Sequence, residues 1–86
     1  MNTALKDLIR TLWNKKKIGG NHTPEDNIVK SKTRWLNKKE QRNFGKEYKK
    51  LVNEDYINRE KKRRGKGMDW HISLNPKKLK ELKEMI

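Results

Sequence analysis

One stretch of the chain alternates with a period of two: Met68, Trp70, Ile72 and Leu74 are apolar, with Asp69, His71 and Ser73 between them. Successive side chains of a β-strand point to opposite faces, so this spacing predicts a strand with one buried face. A strand needs a partner, and Tyr56, Ile57 and Asn58 begin one, placing Ile57 near Ile72 across an antiparallel pair. Between them, Arg59 to Gly67 contains Arg63-Arg64-Gly65-Lys66-Gly67 as the expected turn. A basic hairpin is therefore expected after Asn53, in a chain whose earlier apolar residues follow a helical period.

From Thr3 to about Lys16, Leu5, Leu8, Ile9, Leu12 and Trp13 recur at the spacing of an amphipathic helix. Lys15, Lys16 and Lys17 suit its negative C-terminal end, and Gly19-Gly20 offers an exit. Such a stripe can also lie on an anionic membrane, but the core face of a small domain looks the same and is the simpler reading. Ile18 is a candidate for a very short strand. Thr23-Pro24-Glu25-Asp26 predicts a second helix with Thr23 as N-cap and Pro24 at its first position. Ile28 and Val29 are its large apolar residues, so it should end near Lys32, before a turn through Trp35 and Leu36. Asn37 and Glu40 then have the form of a capping box. The third helix runs from Asn37 to Asn53 with Phe44, Tyr48, Leu51 and Val52 inward. Lys38, Lys39, Arg42, Asn43, Lys46, Lys49, Lys50 and Asn53 fall largely on its other faces. Asn75-Pro76 opens a short closing helix carrying Leu79, Leu82 and Ile86.

Composition bounds what these elements can do. A chain of 86 residues suits one domain spanning 1–86 with a modest core. Hydrophobic residues are 30% and charged residues 41%, so folding must rest on patterning. A net charge of +13 attracts polyanions, nucleic acid before an anionic membrane or an acidic protein. With no cysteine there is no disulfide, thiolate metal site or cysteine nucleophile, which is compatible with a reducing cytoplasm. Lys6, Asp7 and Arg10 interrupt the first apolar pattern, and no run approaches the ~20 apolar residues of a membrane span. A soluble cytoplasmic protein without a membrane partner is expected.

Three helices followed by a basic, glycine-containing hairpin and a short C-terminal helix form an α+β arrangement that resembles a winged helix-turn-helix domain. Gly19-Gly20-Asn21-His22-Thr23-Pro24-Glu25 and His71-Ile72-Ser73-Leu74-Asn75-Pro76 look like stretches of small archaeal winged helix proteins. In DNA-binding members of that superfamily the third helix commonly enters the major groove and the wing touches phosphate or the minor groove. The resemblance thus implies Arg42, Asn43, Lys46 and Lys49 on the helix, with Arg63, Arg64 and Lys66 on the wing. Other members bind RNA or proteins, and fold alone does not choose among them.

The charge pattern widens that set. Arg59, Lys61, Lys62, Arg63, Arg64 and Lys66 stand against Glu60 alone in one short stretch. A solvated loop is the bland explanation, and the second basic face, with Lys38 and Lys39 on the third helix, weighs against it. Arg42 and Asn43 have the donor geometry to read guanine and adenine, though phosphate contact or simple exposure is the commoner role. Trp13 and Trp70 lie on apolar stripes and are expected in the core, and Trp35 is expected to pack over the second helix rather than stack on a base. Gly45, in mid-helix, suggests a close helix crossing. Asp69, His71 and Ser73 share a strand face, but alternate residues stand ~6.5 Å apart, beyond direct hydrogen-bond reach for most rotamers. Two histidines are too few for a zinc site without carboxylates from elsewhere. The expectation is a non-enzymatic protein without metal or cofactor that binds nucleic acid, duplex DNA favoured over RNA, with an adaptor for an acidic protein as the other class of reading.

Overall fold

The computed structural model describes every residue except Lys66, and at Arg64 the backbone alone. The elements are α1 (Thr3–Asn14), β1 (Thr23–Pro24), α2 (Glu25–Thr33), α3 (Lys38–Asn53), β2 (Ile57–Arg64), β3 (Gly67–Leu74), a 3₁₀ turn (Pro76–Lys78) and α4 (Leu79–Met85). The fold is mixed α+β: four helices and an antiparallel sheet in the order β1-β3-β2. No helix among the described residues is long and apolar enough to cross a membrane.

The centre of the core is α1. Asn2 caps it, its Oδ1 accepting from the Ala4 amide at 2.8 Å and the Leu5 amide at 3.3 Å. Leu5, Leu8, Ile9 and Leu12 are completely buried against Ile28, Phe44, Leu51, Ile57, Ile72, Leu74 and Leu82. Each such side chain contributes on the order of 1.5–3 kcal/mol on burial. Trp13 is half-buried at the margin of this cluster.

Both long helices end without glycine. Lys16 takes φ 55° and Asp55 φ 65°. The Lys17 amide donates to Leu12 O and the Tyr56 amide to Leu51 O, while Lys16 and Asp55 donate to Trp13 O and Val52 O. This is the paired bonding that closes a helix through a left-handed residue. It stops α1 at Asn14, before the expected Lys16 and upstream of Gly19-Gly20. Gly19 serves a different joint: at φ 62° it donates its amide to Leu74 O at 2.9 Å, and a Cβ there would meet the Pro76 ring at 3.6 Å. Beside it, Ile18 makes an isolated parallel bridge to Leu74.

At α2 the expected cap is replaced by sheet. Thr23 and Pro24 pair with Ile72 and His71, and the helix starts at Glu25 with no side-chain cap. Strand pairing uses Thr23 in a way that a local capping rule cannot foresee, and proline is tolerated because β1 is an edge. In α3 the capping box forms as the sequence predicts, with Glu40 N–H to Asn37 Oδ1 at 2.8 Å and Asn37 N–H to Glu40 Oε1 at 3.1 Å. Phe44, Tyr48 and Leu51 are buried, and Val52 is half-buried on a groove rim.

The hairpin's strands reach into the expected turn. Arg63, Arg64 and Gly67 are strand, and the reversal lies between Arg64 and Gly67 with Gly65 at φ 57°. Its register places Ile57 opposite Leu74 and Arg59 opposite Ile72, so Ile57 and Ile72 are diagonal rather than direct neighbours. Ile72 and Leu74 are buried, but the same strand face outruns the core, leaving Met68 54% and Trp70 38% exposed. The expectation that Trp70 is a core residue is thereby corrected. Trp35 is corrected too: at 73% exposure it does not pack over α2. The closing helix follows Asn75, whose side chain accepts from the Lys77 amide, and Leu82 anchors it in the core.

Candidate nucleic-acid interface

On α3 the inward stripe leaves Lys38, Lys39, Arg42, Asn43, Lys46 and Lys49 exposed. Among the described residues, none of these cations is held in an ion pair. They do not form one uniform patch. Asn43 and Lys46 border a shallow depression with Asn2 and Glu47 on the side toward α1. Lys49 lies on the other flank, on the rim of a groove of about 580 Å³ between α2 and α3 whose wall includes Arg59 of β2. Gly45 opens onto this groove: a Cβ there would meet nothing within 4 Å, so it marks no close helix crossing.

The groove floor contains a network that the sequence did not disclose. Glu25, only 9% exposed, accepts from Tyr48 Oη at 2.5 Å and from Arg59 Nε at 2.6 Å on Oε2, and from Arg59 Nη2 at 2.9 Å on Oε1. Burial pushes the Glu25 carboxyl up, but the hydrogen bonds of Arg59 and Tyr48 and the Arg59 charge outweigh it and hold the group below its ordinary value. Burial, and then the adjoining carboxylate, raise the Tyr48 phenol far above the usual range. The bonds to Glu25 raise Arg59, which stays cationic. Glu25 looks in the sequence like an ordinary first-turn acid. The one available signal is Tyr48 on a buried stripe, since a buried phenol needs a hydrogen-bond partner.

Arg59 is therefore pinned at the hairpin root, its guanidinium carbon 3.9 Å from the Trp70 ring centroid. Lys61 approaches the same ring at 5.7 Å. No family model, curated protein or solved structure matches the chain. Residues directly opposite in an antiparallel pair share a face, which puts Arg59, Lys61 and Arg63 with Ile72, Trp70 and Met68 on the core-side face of the hairpin. Asn58, Glu60 and Lys62 lie on the back with Asp69, His71 and Ser73, and Lys62 pairs there with Glu60 at 2.9 Å. That contact lowers the Glu60 carboxyl. Of the expected binding residues, the structure thus brings Lys49, Arg59, Lys61 and Arg63 to one side and turns Lys62 away. Lys66 and the Arg64 side chain lie outside the described residues.

The polar residues of β3 have partners of their own. Ser73 Oγ donates to Gly19 O at 2.8 Å, and His71 Nδ1 lies 2.8 Å from His22 Nδ1. In such a contact one ring donates and the other accepts, so the tautomers of the two are coupled. His71 Nε2 is buried and has no hydrogen-bond partner among the described residues. Among the described residues there is no cluster of three or more potential metal ligands.

Proposed function

We propose that this chain binds nucleic acid, double-stranded DNA in preference, with α3 directed to the major groove and the β2–β3 hairpin acting as a wing on the backbone. The element order and sheet are compatible with a winged helix-turn-helix, and a role in transcription regulation fits that reading. The observation that carries it is the meeting of two basic segments: α3, whose outer cations enter no ion pair among the described residues, and the hairpin adjoin at Lys49 and the Glu25-bound Arg59 across one groove. Phosphate is the ligand such a surface complements, because several cations can release condensed counterions together. Arg42, outward on α3, has the fork geometry to pair with a guanine edge. Neither catalysis nor a cofactor enters the proposal.

Titration of duplex DNA, duplex RNA and single-stranded DNA over a range of salt concentrations tests it. Duplex DNA is expected to bind most tightly, with log affinity falling linearly against log salt. Tighter binding of duplex RNA would move the assignment to an RNA-associated module. Failure to bind any of them at low salt would favour an acidic protein as partner.

A further inference from the structure

On the core-side face of the hairpin, the cations alternate with something that phosphate does not require. Trp70 and Met68 sit there side by side, one pleat repeat apart, both substantially open to solvent. Covering Arg59 accounts for part of the indole surface. It does not account for Met68, nor for the exposure that Trp70 retains.

We propose that Trp70, extended by Met68, is a stacking platform for an unpaired base of a nucleic-acid strand whose phosphates lie along Lys61 and Arg63. This rests on the nucleic-acid reading above and narrows it to substrates that offer unpaired bases beside a duplex. Three observations converge. The apolar and cationic residues share one face of one hairpin, the combination by which a strand is held through its bases and its backbone together. Of the hairpin's own residues, that face carries the cations Lys61 and Arg63 beside Arg59, which is paired with Glu25, whereas the hairpin's acidic residues Glu60 and Asp69 occupy the back. Finally, the indole is already ordered. Tyr48 and Arg59 grip Glu25, and Arg59 lies against the ring, so the chain Tyr48–Glu25–Arg59–Trp70 ties the platform to both α2 and α3. A ring fixed before binding loses little freedom on stacking, which favours affinity. A duplex end with its bases paired presents mainly phosphate and sugar to such a hairpin, whereas an unpaired base has an open π-face.

The test compares the intact protein on a blunt DNA duplex, on the same duplex with a single-stranded thymidine tail, and on that duplex with an abasic tail of equal length. The two tails carry the same phosphates and differ only in bases. The thymidine tail is expected to bind about tenfold more tightly than the abasic one, in line with one stacked base. Trp70→Leu should abolish that difference while leaving blunt-duplex affinity within about twofold, and Trp70→Phe should restore part of it. Thermal unfolding of each variant separates loss of stacking from loss of fold, and Met68→Ala, which leaves the Arg59 packing on the indole untouched, gives an independent reading with a smaller loss. Equal affinity for the two tails overturns the platform, even if the blunt duplex binds well. Tight, Trp70-dependent binding of the thymidine tail with no binding of the blunt duplex would uphold the platform and sink the duplex reading instead.

Discussion

Helix α3 and the hairpin are both densely basic, but they use charge differently. On α3 the helical period separates tasks: Phe44, Tyr48 and Leu51 hold the fold, and the lysines and arginine on the outer face are outside any ion pair among the described residues. On the hairpin the tasks are mixed. Arg59 belongs to the basic run by sequence but is bound to Glu25 and lies over Trp70, while Lys62 is neutralised by Glu60 on the back. A count of cations therefore measures potential binding on α3 and overstates it on the hairpin.

The largest effect should come from the packed face of α3. Leu51→Ala removes a buried side chain and is expected to cost about 2–5 kcal/mol by chemical denaturation. Next comes the hairpin root, where Arg59→Ala should cost about 2 kcal/mol, because it strands a mostly buried carboxylate but leaves water partial access. If that variant unfolds as easily as one with an exposed charge removed, the two regions do not differ as described.

A pH titration sharpens the same contrast. Glu25 has a lowered pKa in the fold, so its stabilising contribution is complete above the unfolded value of 4.5 and is lost as pH falls through the folded value. Urea midpoints should therefore decline below about pH 4.5, and Glu25→Gln, already destabilised at neutral pH, should show a shallower decline over that window. Identical slopes for the two proteins would mean that Glu25 does not couple folding to pH. The smallest effect belongs to the outer face of α3, where Lys49→Ala should change stability by no more than about 0.5 kcal/mol.

What could be read in the sequence follows the range of the interactions involved. The capping box at Asn37 and Glu40 and the stripe from Phe44 to Leu51 are local, and both form as expected. Thr23 also looks like a local signal, but pairing with Ile72 overrides it. The left-handed helix ends at Lys16 and Asp55 carry no glycine and so announced nothing. Alternation correctly located β3, yet period alone cannot say how far a strand outruns its core, which is why Trp70 and Met68 emerge exposed. The network of Glu25, Tyr48 and Arg59 joins three elements across the fold, and no residue near any one of them in sequence points to the others. For the candidate interface, charge density identified the two basic segments, but their junction at the groove depends on tertiary packing.

The central claim is that binding is localised to α3 and the hairpin and does not follow from net charge. The salt dependence of duplex DNA affinity for two triple variants tests it most directly. One replaces Arg42, Lys46 and Lys49 with Gln, and the other replaces Lys77, Lys80 and Lys83 on the 3₁₀ turn and α4 with Gln; both lower the formal charge by the same amount. The α3 variant should bind more weakly and flatten the log affinity against log salt plot by up to ~2.7, about 0.9 for each phosphate that is no longer neutralised, while the other keeps a slope close to that of the unmodified chain. Equal reductions of affinity and slope in the two variants would contradict a localised interface and leave the basic surplus as a general attraction to polyanions.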